Sequence, residues 1–403
     1  MRASHRPKRG RQLFSPTTGP NAGESWVQGE SLVDSLERDG VTRRDFLGFC
    51  AKMGAILGIG AGGVARVAEA IESQARPSVV WLQLQECTGC VESVLRSDSP
   101  TIGDLLLERI SLDYQHTLMA AAGHASEQAL QQAMKEWHGK YLLVVSGSVP
   151  RNDGGIYCTI GGRTAEEILV EANRGAAAVI ALGACAHWGS VQAARPNPTG
   201  AVGIGALIQD KPVVNIAGCP PIADVVTATV VHYLTFGRLP DLDADGRPLF
   251  AYGARIHDQC PRRANFDAGQ YVEVFDDDAA RSGWCLYKVG CKGPATFSPC
   301  PIIQWNRGTS WPIGAGHPCI GCTERNFWDT MTPFYRQMPD VLGAGGVERT
   351  VDTIGLGIFA GAVAGVAAHA AATGIKRVHE RRSGAPEPDG GSERRSAEDR
   401  DGD

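Results

Sequence analysis

Val79-Val80-Trp81-Leu82-Gln83-Leu84-Gln85-Glu86-Cys87-Thr88-Gly89-Cys90 carries a short apolar run directly into a cysteine pair with two residues between its members. Three similar runs follow, at residues 141–145, 177–182 and 212–217, and each reads with residues 79–84 as a buried parallel strand. Helical patterns lie between them. One is residues 163–173, after which Gly175 stands where a helix C-cap is expected. Strands alternating with helices predict an open doubly wound α/β sheet, and such sheets bind ligands just past the carboxyl ends of their strands. Those ends carry cysteines: Cys87 and Cys90 after the first run, Cys185 after the third, Cys219 after the fourth.

Four thiolates meeting at one sheet edge make a tetrahedral set that suits a [4Fe-4S] cluster. A structural zinc ion would use the same ligands. A disulfide pair is a poorer reading, because CxxC followed by strand-end cysteines is not a stapling pattern. Gly89, Gly183, Gly218, Pro220 and Pro221 surround the four thiols and let the backbone come close.

Beyond about residue 240 the alternation fades into a Gly-, Pro- and aromatic-rich region, which something other than a large apolar core is expected to organise. His257 and Cys260 form an HxxC pair, followed by Cys285 and Cys291. A histidine among three cysteines is within the range of an iron-sulfur site, and a neutral imidazole makes the cluster less negative. Cys300, Cys319 and Cys322 then leave no fourth donor, which favours a [3Fe-4S] cluster over tetrahedral zinc. Of the twelve cysteines this leaves Cys50, in the N-terminal segment, and Cys158, which reads as a small buried hydrophobe.

Both ends look specialised. The first 45 residues are polar and without apolar period, and Thr42-Arg43-Arg44-Asp45-Phe46-Leu47 then places an arginine pair ahead of an uncharged stretch at residues 53–65. That stretch has the length of a signal h-region and is too short to span a bilayer, so residues 1–75 read as a twin-arginine export leader with cleavage near residues 70–75. Residues 353–375 carry no formal charge and are followed by Lys376 and Arg377. They are long enough to cross a membrane, and the positive flank puts the tail in the cytoplasm. Gly357, Gly361 and Gly365 form a small-residue ridge suited to a partner helix, and His369 continues it as a candidate haem contact. The residues after 377 read as a disordered tail. A net charge of -5, with no dominant basic block, gives no reason to expect nucleic acid.

With these residues in place, the chain resembles the small subunit of membrane-bound [NiFe] hydrogenases over nearly its whole length. The resemblance rests on Glu86-Cys87-Thr88-Gly89-Cys90, Gly183-Ala184-Cys185-Ala186-His187-Trp188-Gly189, Gly218-Cys219-Pro220-Pro221, Arg255-Ile256-His257-Asp258-Gln259-Cys260, residues 284–291, and Ala315-Gly316-His317-Pro318-Cys319-Ile320-Gly321-Cys322. It implies a flavodoxin-like domain at residues 76–240, an iron-sulfur domain at 241–345, a transmembrane anchor at 350–376 and a tail at 377–403. It implies a proximal [4Fe-4S] cluster on Cys87, Cys90, Cys185 and Cys219, a medial [3Fe-4S] cluster on Cys300, Cys319 and Cys322, and a distal [4Fe-4S] cluster on His257, Cys260, Cys285 and Cys291. The partners implied are a large subunit, which alone holds the Ni-Fe centre, and a membrane cytochrome b that feeds quinone. A dimer of heterodimers at the periplasmic face of the cytoplasmic membrane is a further expectation. No catalytic residue is expected in this chain. Glu86 is a candidate for the subunit interface or for proton movement, and His187, Trp188 and His317 are expected to pack and hydrogen-bond beside the ligands. Oxygen-tolerant relatives carry two further cysteines where this sequence has Gly89 and Ser190. An ordinary proximal cluster is therefore expected. The competing readings are a cluster-bearing subunit of another respiratory quinone oxidoreductase and a zinc-stabilised cell-surface scaffold.

Overall fold

The computed structural model describes residues 42–60, 62–73, 77–96, 111–306, 308–338 and 347–384. The leader ahead of residue 42, the end of the cleavage region and the tail beyond residue 384 lie outside the described residues. The chain divides into two compact units, meeting between Gln337 and Met338.

In the first unit, helices α1 (Arg43–Ile56) and α2 (Gly63–Ser73) precede strand β1 (Ser78–Gln83) and helix α3 (Gly89–Leu95). Then come β2 (Ser111–Tyr114), α4 (His124–Glu136), β3 (Tyr141–Ser146), α5 (Ala165–Arg174), β4 (Ala176–Leu182), α6 (Gly183–Trp188), β5 (Val213–Ile216) and α7 (Ala223–Phe236). The five strands form one sheet in the order β2-β1-β3-β4-β5. All its pairings are parallel. This is the flavodoxin-like order, whose switch point lies between β1 and β3.

Four of these strands coincide with the apolar runs. β2 has no such signal, since Ser111 and Asp113 alternate with its apolar residues, as an edge strand with one neighbour allows. The expected helix starts at a capping box, with the Thr164 side chain accepting from the Glu167 amide and the Glu167 carboxylate accepting from the Thr164 amide. Gly175 is its C-cap, though without a left-handed turn. Its need for glycine is steric: a Cβ there would lie 2.9 Å from His138 and 3.1 Å from the Tyr141 hydroxyl.

Side chains alternate across the sheet and build two cores. Val80, Leu82, Leu143, Val145, Val179 and Ala181 face α4 and α5 residues such as Leu130, Ile168 and Leu169. Val79, Trp81, Leu142, Val144, Ile180 and Leu182 face the other way, into a core that includes Val272, Leu286, Val289, Trp311 and Ile313. Much of the irregular region after residue 240 therefore caps one face of the sheet, beside a small aromatic cluster of its own at Phe266, Tyr271 and Tyr287. This explains how so few helices and strands suffice there.

A buried arginine ties distant segments of the region after residue 240 to one another. Arg247 donates to Asp243 Oδ2 (2.7 Å), the Thr323 carbonyl (2.9 Å) and Glu324 Oε1 (3.2 Å), with its guanidinium over the rings of Tyr252 and Phe297. Glu324 also accepts from the Phe297 amide at 2.6 Å.

Helices α1 and α2 pack along α7. Phe46, Phe49, Cys50 and Met53 form one buried stripe of α1, set with Val67 against Ala228 and Val231. In the second unit a single helix, α8 (Val347–Arg382), contains a stretch from Leu356 that is long and apolar enough to cross a membrane. The tail expected from residue 377 is thus helical as far as Arg382, where Lys376 and Glu380 stand one turn apart with 3.9 Å between charges.

Replacing Arg247 by Met leaves Asp243 and Glu324 facing each other without their cation. The expected cost is about 3–5 kcal/mol, as for breaking other buried ion pairs, read as a fall in the urea midpoint of the purified chain.

Candidate metal centres

Strand ends and tight turns deliver the sequence-predicted donors to three recesses. At the first, β1 runs out through Glu86, and Thr88 in a left-handed conformation (φ 65°) turns the chain into α3, so that Cys87 and Cys90 flank the turn. Cys185 sits in α6 directly after β4, and Cys219 follows β5. Cys90 feels the charges of Cys185, Cys219 and Cys87, so the four thiols form one electrostatic group. Cys90 and Cys185 are buried, whereas Cys87 and Cys219 are exposed. Gly183 keeps the recess open: it has φ 88°, and a Cβ there would stand 2.5 Å from Cys90 Sγ.

His257, Cys260, Cys285 and Cys291 line a second recess with Ile256, Pro294 and Ile313. The edge-on ring of Phe266, 4.5 Å away between centroids, orients His257. Cys300, Cys319 and Cys322 line the third, a cavity of about 210 Å³ walled by Trp305, Trp311 and Ile313, with Cys219 on its margin.

Burial dominates the electrostatics of all three. It pushes the Cys90 and Cys319 thiols well up, Cys185 and Cys291 to about 11, and Cys285 and Cys322 to about 12. Burial likewise lowers His257 to about 4, which leaves its imidazole neutral with a lone pair to offer. None of the twelve cysteines is in a disulfide. Thiols this costly to ionise become thiolates only when metal cations supply the missing positive charge. Among the described residues, no three His, Cys, Asp or Glu side chains are set closely enough for a single metal ion. Soft thiol donors, joined at one recess by a neutral imidazole, are a donor set that suits iron-sulfur chemistry.

The sequence-based expectations omit the polar groups beside the sulfurs. Ser298 Oγ donates to Cys300 Sγ at 3.1 Å, the Gly321 amide to Cys319 Sγ at 3.3 Å, and the Gly293 amide to Cys291 Sγ at 3.4 Å. Ser190, fully buried, places its hydroxyl against both Cys185 and Cys219. Ser298, Gly293 and Gly321 each lie two residues from their cysteine, and that short spacing is the signal that could have found them. Glu86 Oε1 accepts from Gln83 Nε2 (2.7 Å) and Ser146 Oγ (3.0 Å), and burial raises its carboxyl.

Among the remaining candidates, His317 is on the lining of the third recess. Cys158 is half-buried against the core on the α4–α5 side, and Cys50 is buried in α1. His317 is exposed, with its Nε2 3.0 Å from the Tyr335 hydroxyl. His369 lies on α8 in the other unit and is exposed.

Two family models match. Residues 87–233 match NADH ubiquinone oxidoreductase, 20 Kd subunit, and residues 252–335 match the C-terminal model of the NiFe/NiFeSe hydrogenase small subunit. The uptake hydrogenase small subunit of Azotobacter vinelandii is 50% identical over 352 residues, covering 87% of this chain and 98% of that protein. The chain belongs to the [NiFe] hydrogenase small subunits. The hydrogenase-1 small chain of Escherichia coli K12 is 46% identical over 370 residues, 91% of this chain and 99% of its own length. A solved [NiFeSe] hydrogenase of Dm. baculatum superposes with a TM-score of 0.61 at 32% identity, over 66% of this chain and all of that one. As a hydrogenase small subunit, the protein transfers electrons within an H2 oxidoreductase heterodimer and pairs with a large subunit. The match at residues 87–233 explains why a subunit of a quinone oxidoreductase competes as a reading of the first domain; the match at residues 252–335 decides against it.

His187, beside Cys185, is buried, stacks on Trp188 at 3.6 Å and has Nε2 2.9 Å from the Asp245 carbonyl. Burial lowers its pKa to about 3. The folded chain thus holds this ring neutral while an unfolded one protonates it near pH 6.5, so the stability it confers is complete above pH 6.5 and drains away as pH falls toward 3. Against a His187→Gln variant, the wild type should show the steeper loss of stability over that window in acid-unfolding titrations.

Proposed function

We propose that this small subunit binds a [4Fe-4S] cluster at Cys87, Cys90, Cys185 and Cys219, a [3Fe-4S] cluster at Cys300, Cys319 and Cys322, and a second [4Fe-4S] cluster at His257, Cys260, Cys285 and Cys291, and relays electrons along them in that order. The observation that carries the order is the way the recesses share walls. Cys219 lines the three-cysteine recess, that recess shares Ile256 and Ile313 with the one lined by His257, and the amide of Lys292, next to Cys291, donates to the Cys319 carbonyl at 2.8 Å. The three-cysteine recess therefore adjoins both of the others.

Bound clusters supply one-electron redox chemistry. The chain's own residues keep water out with Trp305, Trp311 and Ile313, and they aim the Ser298 hydroxyl and the Gly293 and Gly321 amides at ligand sulfur, which eases the gain of negative charge on reduction.

Electrons from H2 oxidation enter, in this reading, where Cys87 and Cys219 are exposed, on the side that the large subunit and its Ni-Fe centre cover. Glu86 belongs to that edge as a candidate for the interface or for proton movement. They leave past the half-exposed His257 toward a membrane cytochrome b and quinone. Residues 76–240 and 241–345 serve as the flavodoxin-like and iron-sulfur domains. Helix α8 serves as the anchor, with Lys376 and Arg377 on the cytoplasmic side. His369 is its candidate haem contact. Residues 1–75 serve as the twin-arginine leader that puts the body on the periplasmic face, where a dimer of heterodimers can assemble. Gly89 and Ser190 make the proximal cluster an ordinary one.

The purified heterodimer should hold about eleven irons and matching acid-labile sulfide in the small subunit; zinc without sulfide would falsify the relay. Gly183→Ala, which drives a methyl into Cys90, should cost the proximal cluster alone, seen as loss of one [4Fe-4S] electron paramagnetic resonance signal while the [3Fe-4S] signal stays. Redox titration should reveal two oxidation states of the proximal cluster, and a third would mean that Gly89 and Ser190 do not decide its type.

A further inference from the structure

The N-terminal helices make contacts that an export signal as such does not require. The Thr42 side chain and Asp45 close a capping box that starts α1 at the arginine pair, leaving Arg44 exposed. From there the apolar stripe Phe46, Phe49 and Met53 is turned inward and buried to 3% exposure or less. What buries it is Val67 of α2 together with α7, through Ala228 and Val231 one turn apart. Polar contacts fix the two ends. Lys52 Nζ lies 2.9 Å from Oδ2 of Asp224, a buried carboxylate in the first turn of α7. Arg66 of α2 lies over the ring of Phe236, the last residue of α7, at 5.1 Å. The segment thus lies along the full length of one helix of the body.

We propose that this face of α7 is a docking site for the chain's own leader, residues 42–70, and that the precursor sequesters its export signal there until the segment is released. The proposal rests on the reading of that segment as an export leader. An apolar segment cannot be buried against the body and given up to a membrane or a translocase at once, so docking competes with export. The site also reports folding. Asp224, Ala228 and Val231 stand in one row only when α7 is formed. That helix begins four residues after Cys219, and the preceding Pro221 carbonyl accepts from Ser93 Oγ of α3, the helix that carries Cys90. A body whose first recess is misfolded presents no such row. Detachment becomes the step that times departure.

The test uses the full-length, uncleaved chain in complex with its large subunit. Hydrogen exchange should find the amides of residues 46–56 protected, and Asp224→Lys, which leaves the leader sequence untouched, should speed their exchange by about tenfold or more. Lys52→Glu should do the same, and the Lys52→Glu/Asp224→Lys pair should restore protection. Throughout, amides of β3 should keep theirs, which separates undocking from unfolding. In cells, Asp224→Lys should shorten the half-time of export. Rapid exchange of residues 46–56 in the wild type, or unchanged exchange in Asp224→Lys, overturns the docking site. Export unaltered by Asp224→Lys despite lost protection overturns sequestration. If Arg43→Lys/Arg44→Lys does not impair export, the leader reading fails and sequestration with it, while the exchange data still decide the docking.

Discussion

Sulfur buried without a cation is the constraint on which the rest of this structure depends. Ten cysteines line three recesses, and burial raises nine of their thiols above the ordinary range. Such a set is a poor arrangement for a protein that must stabilise itself by its own contacts, because each site is rigid in outline and empty of charge balance. The chain meets this by placing ordinary structural devices around the recesses: a parallel sheet to fix two of the loops, a buried arginine to fix two more, and glycines where a methyl would strike a thiol. Cluster binding and folding are then linked equilibria, since metal displaces thiol protons and stabilises only the folded arrangement.

Much of the fold could be read from the sequence, and what failed did so for identifiable reasons. Residues 79–84, 141–145 and 177–182 betray their strands because both faces of a central parallel strand are buried, which forces continuous apolar runs; residues 212–217 are as apolar, although β5 is an edge strand whose burial alternates. β2 escapes because an edge strand of four residues need satisfy neither condition. In the sites, the donors were legible as residue types with short spacings, whereas some of the groups that tune them were not. Ser190 and Gln192 reach Cys185 through a turn that no local pattern announces, and the Lys292 amide, next to Cys291, meets the Cys319 carbonyl across more than 25 residues of sequence. Arg247 was invisible for the same cause: its partners are spread from Asp243 to Glu324, and the carboxylate of Glu324 and the Thr323 carbonyl are more than 70 residues away in the chain.

Electrostatics and packing divide the labour within the first unit. The Arg247 cluster fixes segments of the C-terminal region to one another, whereas the apolar contact between that region and the sheet supplies the area that makes the union stable. Neither substitutes for the other, since apolar burial is indifferent to small slides and an ion pair is not.

The core shared between Trp81, Val144 and Ile180 of the sheet and Val289, Trp311 and Ile313 of the C-terminal region bears on how such chains can change over evolutionary time. Neither part is a free module. A lineage that keeps the first domain while discarding the second bares a wide apolar surface, and it has to acquire another cap in the same step or aggregate. Exchange of the cluster-bearing cap for a different one is thus a more accessible route to new electron-transfer partners than its simple loss, and the first domain constrains every replacement to the same footprint.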